Sequence, residues 1–328
     1  MLKKVLDTIK ENNLIEDGDK IVLGVSGGPD SISMLDILNK IRKENIINFE
    51  IVVAHINHMI RKEAIKDEKY VQEFCKKINI EFYSKSIDVK KMANNNKIGT
   101  EEAGREVRYK FFSEIMEKTK SNKIAIAHNK NDKVETILMN EIRGSGISGL
   151  KGIEPKRGIY IRPIIECERE EIEKYCAEKK LNPRIDKTNF ENIYTRNKIR
   201  NVLIPYIKKE FNPNIINTID RLSKLVAEEE EYIEKQVNKL YSEIVIEEKN
   251  KEIIIDLKKF NKQEKVIKSR LILYIISRLF ETTKGIERIH IEDIIKLCNN
   301  NIGNKYLTPN KNTKVLVKNH KIYFISQA

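Results

Sequence analysis

Cysteine is scarce in this 328-residue chain: Cys75, Cys167, Cys176 and Cys298 are the only four. None falls in a CxxC pair, which argues against a zinc knuckle and against the commonest iron–sulfur ligand spacings. So few thiols in a chain this long suit a reducing cytosol. Long apolar runs are also missing. The longest, "LILYIISRLF", is too short to span a bilayer and contains an arginine. The start, "MLKKVLDTIKENN", is basic but lacks the apolar stretch of a signal peptide. A soluble, cytoplasmic protein with no membrane partner is expected. Acidic residues are the third shortage, 49 against 62 Lys and Arg, for a formal charge of +13. That excess fits an acidic partner such as RNA, DNA or an anionic surface. It also fits a chain simply rich in lysine throughout.

What is present is an alternating pattern. Apolar, β-rich runs occur at Ile21–Val25, Phe49–Ile56, Ile80–Ile87 and Lys123–His128. Between them lie segments of helical spacing: Met34, Leu35, Leu38 and Ile41 share one face, and Val71, Phe74 and Ile78 another. A longer polar-rich helix is expected over Thr100–Lys120. Strands apolar on both faces, alternating with helices, predict the α/β class: a parallel sheet with helices on both faces. The character changes near "IPYIKKEFNP", where Pro213 is a plausible breaker. Beyond it come a long helical pattern from Ile215 to about Glu247, a strand-like run at Glu252–Leu257, and helices at Lys265–Phe280 and Ile291–Cys298. Two short strands follow around a turn at Asn319. The expected organisation is a first domain over 1–212 and a smaller, mostly helical domain with a small β element over 213–328.

One short stretch carries chemistry. "SGGPDS", Ser26 to Ser31, follows the first strand and opens a helix. Gly27 and Gly28 let backbone approach an anion closely. Pro29 suits a first helical turn, where an N–H would have no intrahelical partner. The free N–H groups and the helix dipole then face phosphate. Ser26 and Ser31 can add hydroxyls. Asp30 would be repelled by bare phosphate, so its presence points to a Mg²⁺ counter-ion or to a role in orienting the loop. The bland alternative is an ordinary turn in which Ser or Asp caps a helix. The GxxxxGK[ST] signature is absent, because no lysine follows the glycines.

This loop resembles the pyrophosphate-loop (PP-loop) motif of the N-type ATP pyrophosphatases, a Rossmann-like family that cleaves ATP between its α- and β-phosphates. The resemblance implies ATP as substrate, activated for adenylation. Four further stretches narrow it: "HINHMIRKEAIKDEKYVQEFC" from His55, "TEEAGREVRYKFF" from Thr100, "AHNKNDKVETILMNEIRGSGISGLKGI" from Ala127, and "IRPIIE" with "IDKTNFENIYTRNKIRNVLIP" from Ile185. In order and spacing they resemble the tRNA(Ile)-lysidine synthetase family, strongly over Lys20–Pro205 and more weakly to the C-terminus. Two departures stand out. The family commonly shows paired histidines where this chain has His128 and Asn129, and Asn131 often appears as Asp. Many relatives also carry a further C-terminal domain, so this chain resembles a short form or a part of a longer protein.

The resemblance implies that the wobble cytidine of a tRNA(Ile) with a CAU anticodon is adenylated on O2 by ATP. The ε-amine of free L-lysine then attacks C2 and displaces AMP, with pyrophosphate already released. Ser26–Ser31 would hold pyrophosphate with Mg²⁺, Asp30 being the candidate metal ligand. His55 and Asn57, ending the second strand, would meet the adenine or ribose side of ATP. Asp132 and Glu135, three apart on one helix face, are expected to bind the lysine ammonium and to handle Mg²⁺ or a proton, the roles not divided between them. Arg105 is a candidate catalytic arginine, with Arg108 one turn on. Arg143 in the flexible "RGSGISGL", and Arg196, Lys198 and Arg200 in "TRNKIRN", are candidate RNA contacts. A homodimer is left open. The rival readings are a tRNA thiolation enzyme on the same scaffold, which would need a cysteine relay, and a non-catalytic RNA-binding relic.

Overall fold

The computed structural model describes residues 1–59, 64–184, 191–192, 194–280, 285–300 and 305–327. Parts of two motif stretches, residues 60–63 and residues 185–190 with 193, lie outside the described residues. The chain divides into two compact units, Met1–Lys224 and Leu225–Ala328.

The first unit runs α1 (Leu2–Glu11), β1 (Lys20–Gly24), α2 (Pro29–Lys43), β2 (Glu50–Asn57), α3 (Ala64–Ile78), β3 (Glu81–Ser86), α4 (Val89–Asn96), α5 (Thr100–Thr119), β4 (Lys123–Ile126) and α6 (Lys130–Ile142). Then come β5 (Lys156–Arg157), β6 (Tyr160–Ile161), α7 (Arg169–Glu178), α8 (Thr195–Lys198) and α9 (Ile204–Glu210), the last two joined by a π-helical turn at Ile199–Leu203. The sheet order is β3-β2-β1-β4-β6-β5. All neighbours are parallel except the short edge pair β5 and β6, which the apolar pattern did not foretell.

Alternation along the strands explains the layering. Ile21 and Leu23 of β1 join the core with α1, α2, α3 and α7, whereas Val22 faces the opposite core with Phe111, Phe112 and Ile115 of α5. Each such buried aliphatic side chain stabilises by roughly 1.5–3 kcal/mol, which favours this register over a one-residue slip. Because β1 pairs with β2 on one side and β4 on the other, the carboxyl end of β1 is a topological switch point, where ligands bind in open α/β sheets.

α10 (Ile215–Ile244) crosses the boundary between the units. The second unit continues with β7 (Val245–Lys249), β8 (Glu252–Asp256), α11 (Leu257–Asn261), α12 (Lys265–Phe280), α13 (Arg288–Asn300), β9 (Lys305–Asn310), β10 (Thr313–Lys318) and β11 (Lys321–Ser326). Its antiparallel sheet, β7-β8-β11-β10-β9, is larger than the sequence pattern suggested and packs a core of Ile253, Ile255, Phe260, Leu271, Ile275 and Phe324. No helix among the described residues is long and apolar enough to cross a membrane.

Candidate active site

The loop between β1 and α2 is held from within. Gly27 has φ +92°, a conformation that favours glycine. The buried Ser31 hydroxyl accepts from the Ser26 and Gly27 N–H groups, both at 3.2 Å, and lies 3.0 Å from the Gly28 carbonyl, to which it donates. Gly24, at the end of β1, lies against α5: a Cβ there would meet the Phe112 ring at 2.4 Å. From the far side the Arg184 N–H donates to the Gly27 carbonyl at 2.9 Å. Gly28 caps α2, Pro29 fills its first turn, and Ser26 stays exposed. The first-turn N–H groups of α2, which have no intrahelical partner, thus lie at the end of β1 beside the Ser26 hydroxyl, which accepts from the Gly28 N–H at 3.4 Å and lies 3.2 Å from Ser31 Oγ.

β2 braces that loop. The buried His55 donates from Nδ1 to the Val25 carbonyl at 2.8 Å, and burial depresses its pKa, so the ring is neutral. Asn57 Oδ1 accepts from the Met59 N–H at 3.0 Å, and Nδ2 donates to Glu68 at 3.2 Å. These bonds hold the strand end and the turn after it. Beside them His58 is pushed down to about 4 by burial and by Arg108, and its Nδ1 has no hydrogen-bond partner among the described residues.

The loop after β4 supplies the third wall. Asn129 caps α6 reciprocally: its N–H donates to Asp132 Oδ2 at 3.0 Å, and the Asp132 N–H donates to Asn129 Oδ1 at 2.9 Å. The Asn129 amide also donates to Asp30 Oδ1 at 2.8 Å, so one side chain ties the phosphate-loop helix to α6. Burial, and then the charge of Asp132, raise Asp30 to about 6 despite that bond. Desolvation lowers the half-buried His128 to about 4, and Arg162 Nε lies 3.2 Å from its Nδ1.

Asp132 and Glu135 do share one face of α6, as their spacing predicts. What they face is arginine. Glu135, with no exposed surface, accepts from Arg200 Nε at 2.6 Å and Nη2 at 2.7 Å, and from Arg196 Nε at 2.9 Å. Asp132 Oδ1 accepts from Arg200 at 2.9 Å and Arg196 at 3.3 Å. Arg169 approaches Glu135 at 3.7 Å and Asp132 at 4.0 Å. Burial opposes ionisation of Asp132, but Arg196, His128, Arg200 and the cap N–H outweigh it and hold its carboxyl below the ordinary value.

Two expectations need correction. Arg196 and Arg200, read as RNA contacts, turn inward onto this carboxylate pair, because a buried charge demands a partner. Of that trio only Lys198 is exposed. Glu135 is closed to a diffusing lysine in this arrangement, whereas Asp132 keeps some exposure at 12 % of its side chain. Arg105 is exposed on α5, with its guanidinium 5.0 Å from the Tyr109 ring centre, and its charge acts on Arg162, which Tyr109 also hydrogen-bonds. Arg143 ends α6 and is exposed. Arg162 and Arg169 were missed by sequence reasoning. Arg162 stands inside the quoted "IRPIIE" stretch but was given no role there, and Arg169 follows it after β6, which is only two residues long.

The PP-loop domain model matches residues 1–207. In solved structures, the U34-tRNA thiolase NcsA from Methanococcus maripaludis, bearing an iron–sulfur cluster, shares the fold with a TM-score of 0.57 at 20 % identity, covering 69 % of this chain and 78 % of that one. The fold and site thus define a PP-loop protein. Among curated proteins, the tRNA(Ile)-lysidine synthase of Clostridium acetobutylicum is 47 % identical over 94 % of this chain and 67 % of that protein. That of Clostridioides difficile is 46 % identical over 99 % and 70 %, and that of Clostridium tetani 48 % over 96 % and 67 %. The chain belongs to the tRNA(Ile)-lysidine synthase family, and spans about two-thirds of the length of these relatives.

Proposed function

We propose that this chain is an ATP-dependent tRNA ligase that joins lysine to C2 of the wobble cytidine of tRNA(Ile). The observation that carries the reading is one rim of the sheet that joins a glycine phosphate loop, through Asn129, to a carboxylate pair charged with arginines. In the first step cytidine O2 attacks the α-phosphate of ATP and pyrophosphate leaves into the Ser26–Ser31 loop. In the second the lysine ε-amine attacks C2, the C2–O2 bond to AMP breaks, and the amine proton passes to a carboxylate. Asp132 is the candidate for that carboxylate, since it alone of the pair keeps exposure. Glu135 fixes Arg196 and Arg200, whose charge, with Arg169, exceeds that of the pair by one and offsets the phosphate negative charge.

The residues fit Mg²⁺ modestly. Asp30 is a half-buried, desolvated carboxylate whose ionised form a cation would relieve, and Mg²⁺ commonly takes one or two carboxylates plus substrate phosphates. No group of three or more His, Cys, Asp or Glu among the described residues is placed to hold a metal, so phosphate and water would complete the shell. When bound, the ion would spread the charge of the ATP phosphates.

The thiolation reading is disfavoured by the cysteines. All four are buried, and burial pushes Cys75, Cys167 and Cys298 up to about 12 and Cys176 to about 11, whereas sulfur transfer needs an accessible thiolate. The test is incorporation of labelled lysine into a tRNA(Ile) transcript with a CAU anticodon, in step with AMP release. Incorporation of sulfur instead, or RNA binding without ATP–pyrophosphate exchange, would overturn the proposal.

A further inference from the structure

The helix that turns Arg196 and Arg200 inward has an outer face that the reaction does not use. Tyr194 (48 %), Val202 (53 %), Tyr206 (57 %) and Phe211 (74 %) are all exposed along this single segment. Tyr206 and Phe211 meet edge to face, with ring centres 5.8 Å apart at 67°. Beside them Lys198 and Lys209 are exposed; Lys209 pairs with Glu210 at 2.9 Å, and Lys208 with Glu170 at 3.2 Å. Burying these rings in the core would stabilise the fold, yet the chain leaves them in water. Of the four, Tyr206 and Phe211 touch, and an exposed aromatic pair on a segment with two further exposed apolar side chains suits an interaction surface.

We propose that this strip binds single-stranded RNA by stacking: Tyr206 and Phe211 receive bases of the tRNA loop flanking the nucleotide that reacts, with Lys198 at a phosphate. The inference rests on the proposed function and adds the surface that presents the loop. A base must leave its stack before C2 can be reached, and its displaced neighbours need new partners. Aromatic faces edged by lysine supply both stacking and counter-charge. The strip is on the same helix as the two arginines of the site, so a loop held here lies along the element that braces Asp132 and Glu135. A second copy of this chain fits less well. In a two-fold interface each patch meets itself, which would bring Lys198 and Lys209 towards their own counterparts. Four side chains are also far fewer than the roughly 20–30 residues a side of a standard interface.

The test is a double variant, Tyr206→Ser with Phe211→Ser, titrated with a full-length tRNA(Ile) transcript. Affinity should fall about tenfold or more, while the dependence of log affinity on log salt keeps its slope, because stacking removes no ion pair. Unfolding temperature and ATP binding should stay at wild-type values, since both rings are exposed. Tyr206→Trp should retain affinity. Wild-type affinity in the double variant overturns the inference alone. So does a change in the sedimentation of the RNA-free protein with RNA affinity intact, which would assign the strip to a second copy. A wild-type chain that binds no tRNA overturns the proposed function and this inference with it.

Discussion

Asn129 combines two tasks. Its carbonyl oxygen caps α6, and its amide donates to Asp30 across to α2. Asn129→Ala removes both, so stability should fall by about 0.5–2 kcal/mol from the lost cap alone. AMP formation should fall further than that loss explains, because Asp30 loses the Asn129 amide donor. Denaturant unfolding beside single-turnover AMP release separates the two effects. Equal activity at matched folded fraction would show that Asn129 only caps. Asp30 itself has a stability signature. Its folded pKa of about 6 lies above the ordinary 3.8, so its protonated form stabilises the fold fully below about pH 4, and that contribution is lost as pH rises through about 6. His58 and His128, lowered to about 4, act oppositely: their contribution is present above about 6.5 and lost as pH falls through about 4. The difference between wild type and Asp30→Asn isolates the aspartate. The variant should be more stable at pH 7.5, on the order of 3 kcal/mol, and show little difference at pH 4. It should also fail to form AMP. An Asp30→Asn chain less stable than wild type at pH 7.5 would mean that the ionised carboxylate is well paired.

At the scale of elements, the π-helical turn deserves a cause. Pro205 has no N–H to donate and its ring presses on the carbonyl four residues back, so a regular helix cannot pass through Asn201. The helix widens instead, and the Ile204 N–H donates to the Ile199 carbonyl five residues back. The extra residue per turn sets how Arg200 projects relative to Ile204, which is buried against Val134 and Leu138. Pro205→Ala allows the ordinary ladder and should shift Arg200 away from Glu135. Lysine transfer should drop at least tenfold while the unfolding temperature holds or rises. Crystallography or hydrogen exchange of the variant would show the tightened turn. Full activity with a regular helix there would show that the π turn is incidental to Arg200.

For the whole molecule the question is which of its many cations meet RNA. A formal charge of +13 favours steep salt dependence, but charges already paired inside contribute little to it. Lys198→Ala should lower the slope of log affinity against log salt by roughly 0.7–0.9. Arg200→Ala should leave the slope nearly unchanged. It should instead cost about 3–5 kcal/mol of stability, because Glu135 is then buried without its main partner. Reversed outcomes for the two variants would return Arg200 to the RNA surface.

Much of this protein was legible along the chain. Strands at β1, β2, β3 and β4 follow from apolar runs, and the phosphate loop from glycines and a proline placed at a strand end, because each depends on neighbours a few residues away. The pairing of Asp132 with Glu135 on one face follows from helical period alone. Their chemistry did not follow. Glu135 meets Arg196 and Arg200 across 61 and 65 residues of sequence, and Asn129 meets Asp30 across 99. Such contacts leave no local pattern, and an arginine looks the same in sequence whether it faces phosphate or a buried carboxylate. Only the folded sheet, by bringing the ends of β1, β4 and β6 to one rim, decided which charges were spent inside and which remained for a ligand.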